Sequence, residues 1–247
     1  MKIDIRRYKE LPSTNDEAMR LALDGAQSFT VVAADSQSRG RGRNGRDWFS
    51  PAGTGLYASL VTRPAVSVSE ISLMTLLCGV SAVEAIRRTC GLKASLKWPN
   101  DVLVNKRKVA GILCEASLTS RSDPIVIIGL GVNVNTLPQD LPERTIFPGT
   151  SLMAESGLSH NRDELLLEWV ERTGFWLEKL ESGNTDQVIR RWNEFDALHG
   201  ARVSVSQPDG TRLSGTAAGV DDEGHLILRL HGGEIEKVIV GDVEFES

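Results

Sequence analysis

The chain has 247 residues, of which 40% are hydrophobic and 25% charged, and its formal net charge is -5. These are globular proportions, and the length accommodates one large domain and a small one. A net acidic chain has no overall drive toward nucleic acid or an anionic membrane, so any anion must be held by a local basic cluster.

The opening segment, MKIDIRRYKEL, has no apolar stretch behind its charges. Nowhere do about 18 uninterrupted apolar residues occur, so neither secretion nor membrane spanning is encoded and the cytoplasm is the expected compartment. Cys78, Cys90 and Cys114 show neither CxxC nor Cys/His ligand spacing, and reduced, mostly buried thiols are expected.

After a short apolar lead, residues 13–23 read as a helix. Thr14 followed by Glu17 is a capping-box pattern, and Gly25 stops the run. Ser13, Thr14 and Asn15 then stand at a helix N-terminus, where their side chains can serve either the unpaired N–H groups or a polar ligand; spacing alone favours capping. Strands are expected at 29–34 and 55–62. A helix over 70–88 carries Leu73, Leu76, Leu77, Val80 and Val83 at helical spacing, and strands return at 94–97, 102–104, 109–114 and 125–134. Amphipathic helices follow at 162–180 and 186–195. Hairpins make much of the sheet antiparallel. From about residue 201 the texture changes to short alternating strands separated by QPDG, DDEG and HGG, as in a small barrel; its roughly 47 residues would be marginal alone and should pack on the larger unit. The expected division is 1–199 and 200–247.

The densest chemical signal is QSRGRGRNGRDW, residues 37–48, in which Arg39, Arg41, Arg43 and Arg46 alternate with Gly40, Gly42 and Gly45. Glycine lets a backbone approach a ligand closely, and guanidinium forks suit carboxylate or phosphate oxygens. The segment is brief, lies between two predicted strands and ends in Trp48-Phe49-Ser50-Pro51, which favours a loop in a folded domain over a disordered RNA-binding tract. Neither the Walker order nor GxGxxG is present.

A second polar cluster, KWPND at 97–101, precedes NKRK, and a hairpin with its turn on Asn105 and Lys106 accounts for both. Leu103 then opposes Lys108 and Asp101 opposes Ala110, so Asp101 and Lys108 share a face as diagonal neighbours. Such a pair can offset charge around a phosphate with Mg²⁺, or can be a plain cross-strand ion pair. In GLGVNVN, Gly129 and Gly131 allow close backbone approach and Asn133 can hydrogen-bond a nucleotide, although a buried glycine-containing strand fits equally. Trp48 and Trp98 can stack on a ring or fill a core.

In order, STN at 13–15, QxxGRGRxGRxWxS from Gln37 to Ser50, KWPND, RKxAGIL from Arg107 to Leu113 and GxGxN from Gly129 to Asn133 resemble the catalytic region of biotin protein ligases. The resemblance covers nearly the whole chain. It implies an α+β fold, with a mixed, largely antiparallel sheet and flanking helices (class II synthetase-like), followed by a small SH3-like β-barrel. It also implies an activity: biotin and MgATP give biotinyl-5′-adenylate and pyrophosphate, and biotin then passes to one lysine of a biotin carboxyl carrier domain such as that of acetyl-CoA carboxylase.

Residue by residue, the resemblance places Ser13, Thr14, Asn15, Gln37, Arg41, Gly42, Arg43, Lys108 and Gly111 on biotin, with the 41–43 loop closing over it. Arg43, Arg46, Trp48, Lys97, Asn100, Asp101 and Asn133 fall to ATP or the adenylate, Asp101 to Mg²⁺, and Lys108 and Arg43 to catalysis. Arg39 stands where many relatives have a small residue. About a dozen residues precede STN, too few for the DNA-binding segment that makes some members repressors, so no DNA partner and no transcriptional role are expected; a homodimer is possible. Attack of a carboxylate on the α-phosphorus needs charge screening and placement rather than a nucleophilic side chain, and the histidines are scattered at 160, 199, 225 and 231. The alternatives are a lipoate or octanoyl ligase or transferase, and a non-catalytic RNA-binding module built on the Arg/Gly loop.

Overall fold

The structure is a computed structural model and describes residues 2–117, 124–142 and 148–246. In chain order the first part contains β1 (Asp4–Leu11), α1 (Thr14–Leu23), β2 (Thr30–Gln37), β3 (Gly55–Thr62), α2 (Leu73–Cys90), β4 (Ser95–Lys97) and β5 (Asp101–Val104). It continues with β6 (Arg107–Ser117), β7 (Ile125–Asn133), α3 (Leu152–Ser156), α4 (Arg162–Glu181) and α5 (Thr185–Phe195). The seven strands form one sheet in the order β1-β2-β3-β7-β6-β5-β4, and only β1 with β2 is parallel.

Strict alternation decides what each face of this sheet does. On one face Val31, Ala33, Leu56, Ala58, Leu60, Ala110, Ile112, Val126, Ile128, Leu130 and Val132 join α2, α4 and α5 in the main core. On the other, Val32, Val61, Ile125 and Ile127 pack under Ala18, Leu21 and Ala22 of α1. Helix α1 covers only part of that second face. Beyond its N-terminus the positions equivalent to Ile125 and Ile127 become Gly129, Gly131 and Asn133, and there the functional surface lies.

Strand β1 corrects the expected apolar lead. None of its side chains is fully buried, and at the sheet edge its charges leave no apolar alternation to read. The expected helix over 70–88 begins as a 3₁₀ segment, Val68–Ser72, before α2.

The second part comprises β8 (Arg202–Ser206), β9 (Arg212–Val220), β10 (Leu226–Arg229), β11 (Ile235–Val238) and β12 (Asp242–Phe245), antiparallel in the order β11-β10-β9-β8-β12. Among the described residues no ladder joins β11 to β12, so the expected barrel is an open one. It packs on the larger unit: Val203, Val205, Leu226, Leu228 and Val243 belong to the main core cluster. Trp98 lies in that core rather than in the site, and its Nε1 donates to the Gly224 carbonyl at 3.1 Å. All three cysteines are free thiols.

Candidate functional site

A glycine floor runs across two strands. Gly111 of β6 is the register partner of Gly131 of β7, and Leu113 is the partner of Gly129. Side chains are missing where others must lie. A Cβ on Gly131 would sit 2.6 Å from Cε2 of Trp48, one on Gly111 would sit 3.1 Å from its Cζ3, and one on Gly129 would meet Cγ of Asn15 at 3.0 Å. These glycines make room for side chains of the protein itself, Trp48 and Asn15, which are what approaches the strand closely.

At the α1 end, the capping-box expectation fails. Ser13, not Thr14, is the N-cap and makes no side-chain cap bond, while Glu17 pairs with Arg20 and accepts from the Tyr8 hydroxyl. The polar groups turn toward the sheet instead. Thr14 donates through its backbone N–H (2.8 Å) and its hydroxyl (3.1 Å) to Oε1 of Gln37, whose Nε2 donates to Ser50 Oγ at 2.9 Å. Ser59 Oγ lies 2.8 Å from Thr14 Oγ1 and 2.6 Å from Asn15 Oδ1. Asn15 Nδ2 donates to the Leu113 carbonyl (3.2 Å) and to Glu115 Oε2 (2.6 Å). Three strands thus fix two buried polar residues, Thr14 and Asn15, of one helix start.

The Arg/Gly segment forms a closed turn. Gly42 N–H donates to the Arg46 carbonyl at 2.7 Å, Trp48 N–H to Gly40 at 2.8 Å, and Arg41 bridges Asp47. Asn44 takes the left-handed backbone at its tip (φ 56°), which a short amide side chain tolerates. Each arginine has its own partner. Arg41 reaches Asp16 (2.5 Å) and Glu115 (3.0 Å), Arg43 reaches Asn100 Oδ1 (3.5 Å), and Arg46 pairs with Asp242 of β12. Arg39 is exposed, and its N–H donates to the Pro12 carbonyl at 2.9 Å.

The hairpin turn falls on Asn105 and Lys106 as expected, both at positive φ, and Leu103 opposes Lys108. Asp101, however, opposes Gly111, not Ala110, because a register shift interrupts the ladder. The cause is local. Val109 and Ala110 are consecutive and both buried in the core, so one residue has no place in a regular alternation and a bulge absorbs it. That extra residue puts Lys108 and Gly111 on the site face together. Asp101 is held between Lys108 Nζ and Lys97 Nζ, the latter at 3.4 Å. Burial pushes its carboxyl pKa up, but the two ammonium groups more than offset this and hold it below the ordinary value. Burial likewise lowers the pKa of Arg43, which remains a cation.

These features enclose a cavity of about 690 Å³. Of the residues singled out from the sequence, Ser13, Thr14, Asn15, Gln37, Arg41, Gly42, Arg43, Arg46, Trp48, Lys97, Asn100, Asp101, Lys108 and Gly111 all line it. Asn133 does not. It lies behind Trp48 and Lys108 in a smaller hollow, and its Nδ2 donates to the Thr150 carbonyl at 3.0 Å. Sequence reasoning missed the wall supplied by Ser206, Asp242, Val243 and Glu244 from the second sheet, and it missed Ser59 and Glu115, whose single-residue signals are invisible without the register.

Both Asp101 oxygens face ammonium groups, so the residues present do not form a cage for a resident metal ion. Among the described residues the lining contains no histidine and no cysteine. A cavity lined by five cationic side chains, Arg41, Arg43, Arg46, Lys97 and Lys108, defines a protein suited to holding anionic groups in place.

The model of the biotin/lipoate A/B protein ligase family matches residues 8–133, and that of the biotin protein ligase C terminal domain matches residues 198–246. The chain belongs to this family. It is 35% identical to the bifunctional ligase/repressor BirA of Bacillus subtilis over 95% of its length and 71% of that protein. It is 33% identical to the biotin--[acetyl-CoA-carboxylase] ligase of Paracoccus denitrificans over 88% of this chain and 90% of the relative. The biotin protein ligase from Aquifex aeolicus in complex with biotin and ATP superposes with a TM-score of 0.84 at 28% identity, covering 98% of both chains.

Proposed function

We infer that the chain is a biotin protein ligase, which uses ATP to activate biotin as biotinyl-5′-adenylate and transfers biotin to a carboxylase acceptor protein. The observation that carries this reading is the placement of Lys108 beside Asp101 and Arg43 beside Asn100, facing a polar helix start across a floor of paired glycines. Biotin's ring system is assigned to the Ser13, Thr14, Asn15 and Gln37 end, and the nucleotide to the end bounded by Trp48, Arg46 and Lys97.

In the first step a carboxylate oxygen attacks the α-phosphorus and the bond to the β-phosphate oxygen breaks, releasing pyrophosphate. Two anions must approach one another. Lys108 and Arg43 neutralise that repulsion at fixed positions, so little reorganisation is needed as charge develops. In the second step the acceptor lysine's amine attacks the acyl carbon and AMP leaves. Between the steps the mixed anhydride must be kept from water, and the 41–47 turn, tethered by Arg41 and Arg46, is the part placed to cover it.

Mg²⁺ is assigned to the substrate, entering on the triphosphate. The acceptor is assigned as a biotin carboxyl carrier domain, the functional division is placed between residues 199 and 200, and a homodimer is retained as a proposal. The test is exchange of ³²P-pyrophosphate into ATP. Exchange that requires biotin supports the reading, whereas exchange that requires lipoate instead, or none from folded protein, overturns it. Among the described residues no helix is long and apolar enough to cross a membrane.

A further inference from the structure

Glu115 has no role in the chemistry above, yet it touches both halves of the binding apparatus. It stands on β6 two residues beyond Leu113 and four beyond Gly111, on the site face. Its Oε2 accepts from Asn15 Nδ2 at 2.6 Å and from Arg41 Nη2 at 3.0 Å. The first bond fixes the buried Asn15 carboxamide. The Leu113 carbonyl and a carboxylate can only accept, so the NH₂ must face them, and Oδ1 is left toward Ser59 at 2.6 Å. The second bond fixes the turn, because Arg41 carries the backbone bridge to Asp47 that closes it.

We propose that Glu115 is a positioning residue that couples closure of the Arg/Gly turn to the polar end of the biotin pocket. One carboxylate oxygen serves both donors, so an ordered Asn15 makes a better seat for Arg41, and a seated Arg41 holds the carboxylate on Asn15. The charge is needed for one arm and only an acceptor for the other. In Glu115→Gln the amide oxygen can take the Oε2 place and still receive both donors, but the negative charge that holds the Arg41 guanidinium is gone. Glu115→Ala removes both arms.

The assignment rests on the biotin reading, and pyrophosphate exchange at varied biotin and ATP tests the two separately. The Arg41–Glu115 pair is partly exposed, so the expected effect of Glu115→Gln is moderate: KM for biotin rises about three- to tenfold, while kcat stays within about twofold and KM for ATP is unmoved. Glu115→Ala raises KM for biotin further. A thermal melt coincident with wild type separates positioning from loss of fold. In an Arg41→Ala background Glu115→Gln should have little added effect, since its partner is already gone. Additive effects in that cycle, or a Glu115→Gln enzyme kinetically identical to wild type, overturn the coupling while leaving the biotin reading intact. Wild-type protein without biotin-dependent exchange overturns both.

Discussion

Replacing Gly131 by alanine tests the glycine floor directly. The new Cβ would lie 2.6 Å from Cε2 of Trp48, whereas carbon atoms pack at about 3.5–4.0 Å, so the indole must retreat by about 1 Å. The backbone itself is not the obstacle. Gly131 is a regular strand residue paired with Tyr57 on one side and Gly111 on the other, and in such a position alanine is favoured over glycine by about 0.5–1 kcal/mol. The substitution should therefore leave the melting temperature within about 3 °C of wild type while moving one wall of the cavity. Misplacement by about 1 Å can cost up to about 100-fold in an organised site. With Trp48 on the nucleotide side, Gly131→Ala should raise KM for ATP by about tenfold or more in pyrophosphate exchange and change KM for biotin by less than about threefold. Gly129→Ala should do the reverse, since its Cβ meets Asn15. If Gly131→Ala instead raises KM for biotin, or leaves both constants unchanged, the two ends of the cavity have been assigned wrongly.

Lys108→Ala should lower biotin-dependent exchange by about 100-fold or more. It should also cost less stability than the about 3–5 kcal/mol of a broken isolated buried pair, because Lys97 remains on Asp101. Normal exchange from this variant would remove Lys108 from the chemistry. Arg43→Gly should release biotinyl-adenylate faster in a filter-trapping assay, and unchanged dissociation would mean that the turn does not retain it. Asp196 gives a pH prediction. Burial raises its carboxyl pKa from 3.8 to about 6, and among the described residues its Oδ2 has no hydrogen-bond partner. The folded state thus disfavours the charged form, so its contribution is intact below the unfolded pKa and is lost as pH rises through about 6. Relative to Asp196→Asn, the wild type should lose about 2 kcal/mol of unfolding free energy between pH 4 and 7.5, and a pH-independent difference would refute this.

Much of the site was legible because its residues are bunched in sequence. The Arg/Gly turn, Lys97 to Asp101 and Arg107 to Leu113 each read as one cluster, and each lines the cavity. What escaped depended on register. Consecutive buried residues at Val109 and Ala110 were the available sign of the bulge, yet only the paired strands show that it carries Lys108 and Gly111 to one face. The Thr14/Glu17 spacing fits a capping box, and nothing local tells that Thr14 instead bonds Gln37, 23 residues away. Gly129 and Gly131 announce close approach but not by what. Strand β1 hid behind its charges, and the wall formed by Asp242 to Glu244 lay in a segment whose own pattern speaks only of a small β unit.

The Arg46–Asp242 pair joins positions 196 residues apart. The hairpin around Asn105 and Lys106 closes over a few residues and can form early, as can the Gly42–Arg46 turn, but the turn's tether arrives only when β12 has docked beside β8. Among the side-chain contacts of the described residues that frame the cavity, this one spans the longest loop and therefore carries the largest closure entropy. The bonds of Asn15 to Leu113 and Glu115 span about half as many residues and do not involve the last strand. In a folding or transiently opened molecule, detachment of the last strand would leave a protein that still accepts its acid but has lost the outer hold on the turn meant to keep the activated product inside.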